Sequence, residues 1–301
     1  MKVLFSGYVC DLIDLLTMEE VDTKLVESEV APFLSSTARA DLRVIAVQYF
    51  LGLTGSETGR RFIVDTGDYL QQLINVIDDD QATIAKDAFL AIVNLAAESD
   101  IACHIIKLST AEKVLDRLLT AALYEGRVEP NIACMALSNL SRSESAASLI
   151  AEYVIKERDP DVGVKRIVDM LCRSDLPGRD YLAPFLSNLT QVSSVRKILL
   201  DHDRVVFQRI LPIINYTKSA TRRGGIVGTV RNCCFETGMN TFLVKVSLHK
   251  YVTKWNNSVN FLNMKNLLCT FCRVGIMCPS INCEFYYCNI ICKNLIWQHY
   301  R

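Results

Sequence analysis

The chain has 301 residues, of which 50% are hydrophobic and 22% charged, and its formal net charge is zero. This composition excludes an intrinsically disordered chain, and the balanced charge gives no support to binding of nucleic acid or of an anionic membrane. The zero net charge conceals a difference in charge between two segments of the chain. Residues 1–237 hold 26 basic and 32 acidic side chains, whereas residues 238–301 hold seven basic side chains and one acidic one.

The start of the chain resembles an amphipathic helix more than a leader peptide. Asp11 and Asp14 interrupt its apolar stretch, which makes it a poor signal peptide. No uncharged run reaches the length of about 18 residues that a membrane-spanning helix needs. The six cysteines before residue 237 are scattered through apolar runs, as reduced cysteines are in cytosolic proteins. We therefore expect a cytoplasmic protein that is not membrane-bound.

Internal periodicity is the strongest signal in the sequence. Four short apolar segments end in asparagines that lie 45, 49 and 44 residues apart, namely Asn94, Asn139, Asn188 and Asn232. A fifth segment carries Gly52 in the equivalent place, 42 residues before Asn94. A period of about 40–47 residues is that of armadillo and HEAT repeats. The prediction is an all-α, armadillo/HEAT-like solenoid, a right-handed superhelix of about five repeats, within residues 1–237.

The segments between the asparagines have helical periodicity. Apolar residues recur at helical spacing from Tyr69 to Ile77, from Ala111 to Ala122 and from Val164 to Leu171. Glycine and proline separate these stripes and predict breaks, of which two are Pro177-Gly178 and Gly224-Gly225. A single helix pair cannot bury its apolar faces alone, so the repeats must stack into a curved rod with an extended concave surface.

The repeated asparagine has two interpretations. In armadillo repeats this residue lies on the third helix, which lines the concave face, where a row of amides can hold the extended backbone of a partner. Alternatively, each amide satisfies a backbone group at a junction between repeats. Armadillo proteins of the importin type also carry tryptophan four residues before the asparagine, but here those positions hold Leu90, Met135, Pro184 and Gly228. A nuclear-import receptor is therefore not expected.

No motif predicts catalysis or cofactor binding. The four histidines lie far apart, and the stretch Gly224–Gly228 lacks the Gly-Lys-Ser/Thr ending of a phosphate loop. We expect a non-enzymatic protein without a cofactor, and a monomer. Arg222, Arg223 and Arg231 surround the glycine-rich stretch, where they either contact an acidic partner or are solvated charges with a contact to a helix end. The predicted partner-binding residues are these three arginines and the four asparagines.

Residues 238–301 differ from the rest of the chain. They hold both tryptophans, nine asparagines and six cysteines crowded between Cys269 and Cys292. The periodicity stops just after Asn232, a pattern typical of a translated non-coding segment at an alternative exon end or in an erroneous gene model. A zinc site is the alternative, with Cys269, Cys272, Cys278 and Cys283 as candidate ligands, although only the first pair has the Cys-x2-Cys spacing.

One segment is specific enough to suggest a family. Residues 222–236, Arg-Arg-Gly-Gly-Ile-Val-Gly-Thr-Val-Arg-Asn-Cys-Cys-Phe-Glu, closely resemble the signature of the eukaryotic HGH-one homologue family. The stretches 181–191, 38–42, 53–60 and 203–212 are also similar to that family, in the same order and spacing. The resemblance covers roughly residues 28–237 and stops at about Thr237, where family members continue with helical, acidic sequence.

The resemblance implies an armadillo-fold chaperone adaptor in the cytoplasm. Members of that family assist the folding of newly made elongation factor 2 and connect this client with the cytosolic chaperonin. The resemblance implies no catalytic residue and no ATP site on the adaptor itself. If only the repeats are considered, the alternative is a generic armadillo scaffold in signalling or trafficking.

Overall fold

A computed structural model describes residues 21–124, 129–156, 160–173, 177–200, 205–233 and 236. Its regular structure within these ranges is helical throughout. The first described segment is a helical turn at Thr23–Leu25, which continues into a π-helical turn at Val26–Val30 and a 3-10 turn at Ala31–Leu34. The Asp22 side chain caps this segment by accepting a hydrogen bond from the backbone N–H of Leu25.

The following helices form repeating units of three. The third helices of the units are α1 Ala40–Leu53, α4 Ala82–Leu95, α7 Pro130–Leu140, α10 Leu182–Leu189 and α13 Ala220–Cys233. The first helices are α2 Glu57–Asp65, α5 Ser99–Lys107, α8 Glu144–Lys156 and α11 Ser193–Leu199. The second helices are α3 Tyr69–Val76, α6 Ala111–Leu123, α9 Pro160–Cys172 and α12 Val205–Ile210, the last continuing as a 3-10 turn at Leu211–Asn215.

Successive third helices pack against one another along the whole described array. Contacts join α1 to α4, α4 to α7, α7 to α10 and α10 to α13. Their apolar side chains form the centre of one continuous core, in which Phe50, Ile92, Leu137 and Phe185 are completely buried. Because each third helix is covered by its neighbours, the array has the layered, nearest-neighbour construction of a solenoid. The predicted all-α, armadillo-like solenoid is therefore confirmed.

The predicted helical stripes and the predicted break at Pro177-Gly178 are found where the sequence places them. The three stripes correspond to α3, α6 and α9. Gly178 adopts a φ of 74° in the connection before α10, a conformation that L-residues with a side chain rarely adopt. Ser56 and Ser143 begin α2 and α8 as N-caps, accepting hydrogen bonds from the N–H groups of Gly59 and Ala146.

One predicted break is wrong. Gly224 and Gly225 do not interrupt the chain but lie within α13, which runs without a break from Ala220 to Cys233. The reason is steric. A Cβ atom on Gly225 would come within 2.3 Å of the backbone carbon of Ala183, and one on Gly228 within 2.4 Å of Ser187 Oγ. These two glycines let α13 approach α10 closely, so their role is helix packing and not a turn.

Candidate partner-binding surface

The four asparagines occupy the same place in their repeats, near the C-terminal end of a third helix. Asn94, Asn139, Asn188 and Asn232 are each half-buried. Helical packing places them in one row, since their helices α4, α7, α10 and α13 contact one another in that order. The structure thus brings together the residues that the repeat predicts as a row.

The amide nitrogens of this row point backwards along the array. Asn188 Nδ2 donates to the Ser138 carbonyl at 2.9 Å and to Ser141 Oγ at 3.1 Å. Asn232 Nδ2 makes the equivalent pair of bonds one repeat later, to the Ser187 carbonyl at 3.0 Å and Thr190 Oγ1 at 3.1 Å. Each amide thereby joins its own third helix to the preceding one. We call this series of bonds the asparagine ladder.

The other two asparagines follow the same scheme with one bond each. Asn94 Nδ2 donates to Thr54 Oγ1 at 2.8 Å, and Asn139 Nδ2 donates to the Val93 carbonyl at 3.1 Å. Asn139 finds no hydroxyl group because Ala96 occupies the position that Ser141 and Thr190 hold in later repeats. Arg142 is bound there as well, donating to Asn139 Oδ1 at 2.8 Å and to the Ala97 carbonyl at 3.0 Å.

The partners of the ladder are hydroxyl groups that the sequence analysis did not select. Thr54, Ser141 and Thr190 are at most 1% exposed. Each also donates its own hydroxyl proton to a carbonyl in its helix, so its oxygen is oriented to accept from the asparagine. The signal that identifies them is a serine or threonine two residues after the asparagine, or after Gly52 in the first unit.

This geometry bears directly on the two interpretations of the asparagine. Carbonyl acceptors face the amides of Asn139, Asn188 and Asn232, so the nitrogen and not the oxygen of each must point to the preceding repeat. The amide N–H groups of Asn188 and Asn232 are both used within the array. Within the described ranges, the Oδ1 atoms of Asn94, Asn188 and Asn232 receive no hydrogen bond. Asn188 and Asn232 therefore have a structural role at the repeat junctions, and their side chains keep only acceptor oxygens for a partner.

Arg222 is placed inside the array and not on its surface. Its side chain is 3% exposed, its Nε lies 2.8 Å from Asp180 Oδ1, and its guanidinium group stacks 4.9 Å from the centre of the Tyr216 ring. Arg179 is similarly enclosed, and its Nε donates to the Ala122 carbonyl at the C-terminal end of α6. The placement of Arg222 does not support direct contact with a partner.

Arg223 and Arg231 lie closer to solvent. Arg231 is exposed, and Arg223 is half-buried and donates to the Tyr216 carbonyl at 2.9 Å. The positions four residues before each asparagine, Leu90, Met135, Pro184 and Gly228, are all half-buried and belong to the same helices. The row thus combines acceptor oxygens, a few small or apolar side chains and two arginines on its last helix.

Ion pairs also recur at equivalent repeat positions. Arg60 of α2 pairs with Glu98, and Arg196 of α11 pairs with Glu236 at 2.9 Å. In both pairs the arginine lies eight residues after Gly52 or Asn188, and the glutamate lies four residues after the next asparagine. Burial alone would raise the pKa of Glu236, but hydrogen bonds from Arg196 and Ser193 and the charges of Arg196 and Lys197 together lower it. The second pair is therefore a charged link between two repeats.

The described part of the chain has no cluster of three or more side chains suited to a metal ion. The candidate zinc ligands Cys269, Cys272, Cys278 and Cys283 lie outside the described residues, as does the whole segment 238–301. Burial raises the pKa of Cys134 and Cys233 to about 12, so these thiols stay protonated at neutral pH. Among the described helices, none is long and apolar enough to span a bilayer.

Comparison with known sequences identifies relatives of this region. A family model described as "Domain of unknown function (DUF383)" matches residues 121–262, which extends beyond residue 237. A human protein named Protein HGH1 homolog is 40% identical over 216 residues, which cover 70% of this chain and 54% of that protein. The zebrafish (Danio rerio) protein of the same name is 37% identical over 211 residues, covering 69% and 54%. The chain spans about half the length of the curated relatives it matches.

Comparison with solved structures identifies the fold. A computationally designed armadillo repeat protein for modular peptide recognition matches with a TM-score of 0.64 at 16% identity, covering 81% of this chain and 97% of that chain. A designed armadillo repeat protein in complex with the peptide (KR)4 matches with a TM-score of 0.63 at 15% identity, covering 81% and 98%. At these identities the likeness concerns the fold alone.

Proposed function

Because the armadillo region of this chain belongs to the HGH-one homologue family, we propose that it is a protein-binding chaperone adaptor, which assists the folding of newly made elongation factor 2 together with the cytosolic chaperonin. The observation that carries this proposal is the sequence similarity to the human relative over 216 residues, at 40% identity. Repeats that stack into an array provide an extended surface suited to a large protein client.

The row of third helices is the proposed client-binding surface. Asn94, Asn188 and Asn232 provide side-chain oxygens that can accept hydrogen bonds from backbone N–H groups of the client. Asn139 contributes less, because Arg142 already donates to its oxygen. Arg223 and Arg231 add positive charge at the last helix. In this proposal the adaptor acts as a monomer in the cytoplasm, without a cofactor and without catalysis.

Affinity capture from cytosol tests the proposed partners. The full chain, tagged and incubated with eukaryotic cytosol, should retain elongation factor 2 and subunits of the cytosolic chaperonin. A variant that carries Arg223→Gln and Arg231→Gln should retain less of the client, while its helical circular dichroism spectrum stays unchanged. Recovery of neither partner by the wild-type chain contradicts the proposal, and recovery of kinases or membrane-traffic factors would favour a generic scaffold.

A further inference from the structure

The arginines of this array fall into two groups. Most are paired with carboxylates from the same or the next repeat, as in Arg39–Asp41, Arg43–Asp79, Arg60–Glu98, Arg61–Asp100, Arg117–Asp78, Arg196–Glu236, Arg209–Asp169 and Arg222–Asp180. Arg142, Arg223 and Arg231 belong to the second group. Within the described residues they contact no carboxylate, and Arg142 and Arg223 donate only to carbonyl and amide oxygens.

The positions of Arg142, Arg223 and Arg231 along the row of third helices define one surface. Arg223, Val227 and Arg231 are spaced four residues apart, so they form a single stripe along α13. Gly224, Gly228 and Asn232 form the adjacent stripe. Arg142 follows the last turn of α7, where it is tied to Asn139 of the asparagine ladder. We call the two stripes of α13 the arginine–glycine face.

Helix packing does not explain the glycine at position 224 of this face. Gly225 and Gly228 have no room for a side chain, but a Cβ atom on Gly224 would meet nothing within 4 Å. Gly224 is also exposed. Glycine weakens an exposed helix interior relative to alanine, and internal packing gives no reason for it here. A glycine in open space leaves the helix backbone accessible to the close approach of another chain.

We propose that the arginine–glycine face binds an extended, acidic segment of the client protein. Carboxylates of the segment pair with Arg223 and Arg231, while its backbone lies over Gly224 and donates an N–H to Asn232 Oδ1. Arg142 extends the positive surface towards α7. Charge complementarity is the argument for this occupant, since arginine guanidinium groups form their strongest surface contacts with carboxylates. This inference rests on the proposed function and specifies the chemistry of the client segment.

Peptide binding to the full chain tests this inference. The probe is a fluorescein-labelled decapeptide of alternating glutamate and serine, compared with its lysine–serine counterpart by fluorescence anisotropy at low and high salt. The acidic peptide should bind and the basic one should not, and added salt should weaken binding. The Arg223→Gln/Arg231→Gln variant should lose affinity by about tenfold, because two charge pairs are removed.

Two further variants separate binding from folding. Gly224→Gln should weaken peptide binding, because its side chain covers the helix backbone that the peptide approaches. It should not lower the thermal midpoint of unfolding, because glutamine has a higher helix propensity than glycine. The matched control Lys107→Gln/Lys197→Gln removes the same charge from exposed positions on the first helices α5 and α11, and its affinity should stay within about twofold of wild type.

Several results would overturn this inference. They are no binding of the acidic peptide to the wild-type chain, equal binding of the basic peptide, or an equal loss in the lysine control. If the wild-type chain still captures elongation factor 2 in that case, the proposed function stands and only the acidic segment is rejected. If the acidic peptide binds as expected but elongation factor 2 is not captured, the arginine–glycine face binds acidic segments and the proposed client is wrong.

Discussion

At the scale of single residues, the asparagine amide is a recurring polar link between repeats. Asn188 connects its helix to two acceptors of the preceding one, the Ser138 carbonyl and the Ser141 hydroxyl. Ser141 is fully buried, so its hydroxyl oxygen loses this donor when the amide is removed. A hydrogen bond of this kind contributes about 0.5–1.5 kcal/mol net, and a buried group left without a partner costs about 1–3 kcal/mol.

Removal of the Asn188 amide should therefore destabilise the array. We expect Asn188→Ala to lower the free energy of unfolding by about 2 kcal/mol, measured by chemical denaturation followed by circular dichroism. The matched control is Asn131→Ala, since Asn131 is an exposed asparagine at the start of α7. This control should change stability by less than about 0.5 kcal/mol. Equal stability of Asn188→Ala and wild type would mean that the ladder does not support the fold.

The sequence predicts the asparagine row but not its partners. A period of 44–49 residues makes the asparagines conspicuous, whereas serine and threonine after a helix are too common to be noticed. The choice between partner binding and junction could not be made from the sequence, because both need the same amide. It depends on the direction of the amide nitrogen, which only the packing of neighbouring helices determines. The burial of Arg222 cannot be predicted from the sequence for the same reason, because it also depends on how neighbouring helices pack.

At the scale of elements, α10 and α13 pack closely against each other. Their approach depends on Gly225 and Gly228, whose missing side chains let the backbone of Ala183 and the side chain of Ser187 come near. The glycine-rich stretch is thus explained mainly by packing, although sequence reasoning predicted a break there. Glycine pairs usually mark turns, but in a tightly packed helix the loss of propensity is offset by contact.

A pair of glycine substitutions tests this packing. Gly225→Ala places a methyl group 2.3 Å from the Ala183 carbonyl carbon and should lower the free energy of unfolding by about 3 kcal/mol. Gly224→Ala adds the same atom one residue earlier, in open space, and should raise it by about 0.5–1 kcal/mol. Thermal unfolding of both variants measures the contrast. Equal effects at the two positions would contradict the close approach of α10 and α13.

At the scale of the whole molecule, charged links cross the repeats near both ends of the described array. Arg60–Glu98 and Arg196–Glu236 occupy equivalent positions, and in each pair both side chains are less than one-fifth exposed. The lowered pKa of Glu236 means that the folded state favours its ionised form. Such a carboxylate stabilises the fold at pH values above its ordinary pKa of 4.5, and its contribution declines as the pH falls towards the lowered value.

Glu236→Gln should therefore be destabilising in a pH-dependent way. At pH 7 we expect a loss of about 1–2 kcal/mol in the free energy of unfolding, since the hydrogen-bonded ion pair is removed. The difference between variant and wild type should shrink as the pH is lowered below about 4.5, because the wild-type carboxylate is then protonated as well. Denaturation at several pH values measures this. The control is Glu152→Gln, which removes an exposed carboxylate of α8. A loss of stability in Glu236→Gln that does not depend on pH would contradict the charged link.

The asparagine ladder has a further consequence for how such a chain can change during evolution. The links of Asn188 and Asn232 run to two acceptors that the previous repeat carries one residue before, and two residues after, its own asparagine. A gene duplication that copies one repeat would copy both halves of the link, so the new junction would be matched from the start. At Ala96 the hydroxyl acceptor of the link is absent, and Arg142 binds at that junction, to the Asn139 side chain and the Ala97 carbonyl. Repeat number can then vary without a second, compensating mutation at the new junction.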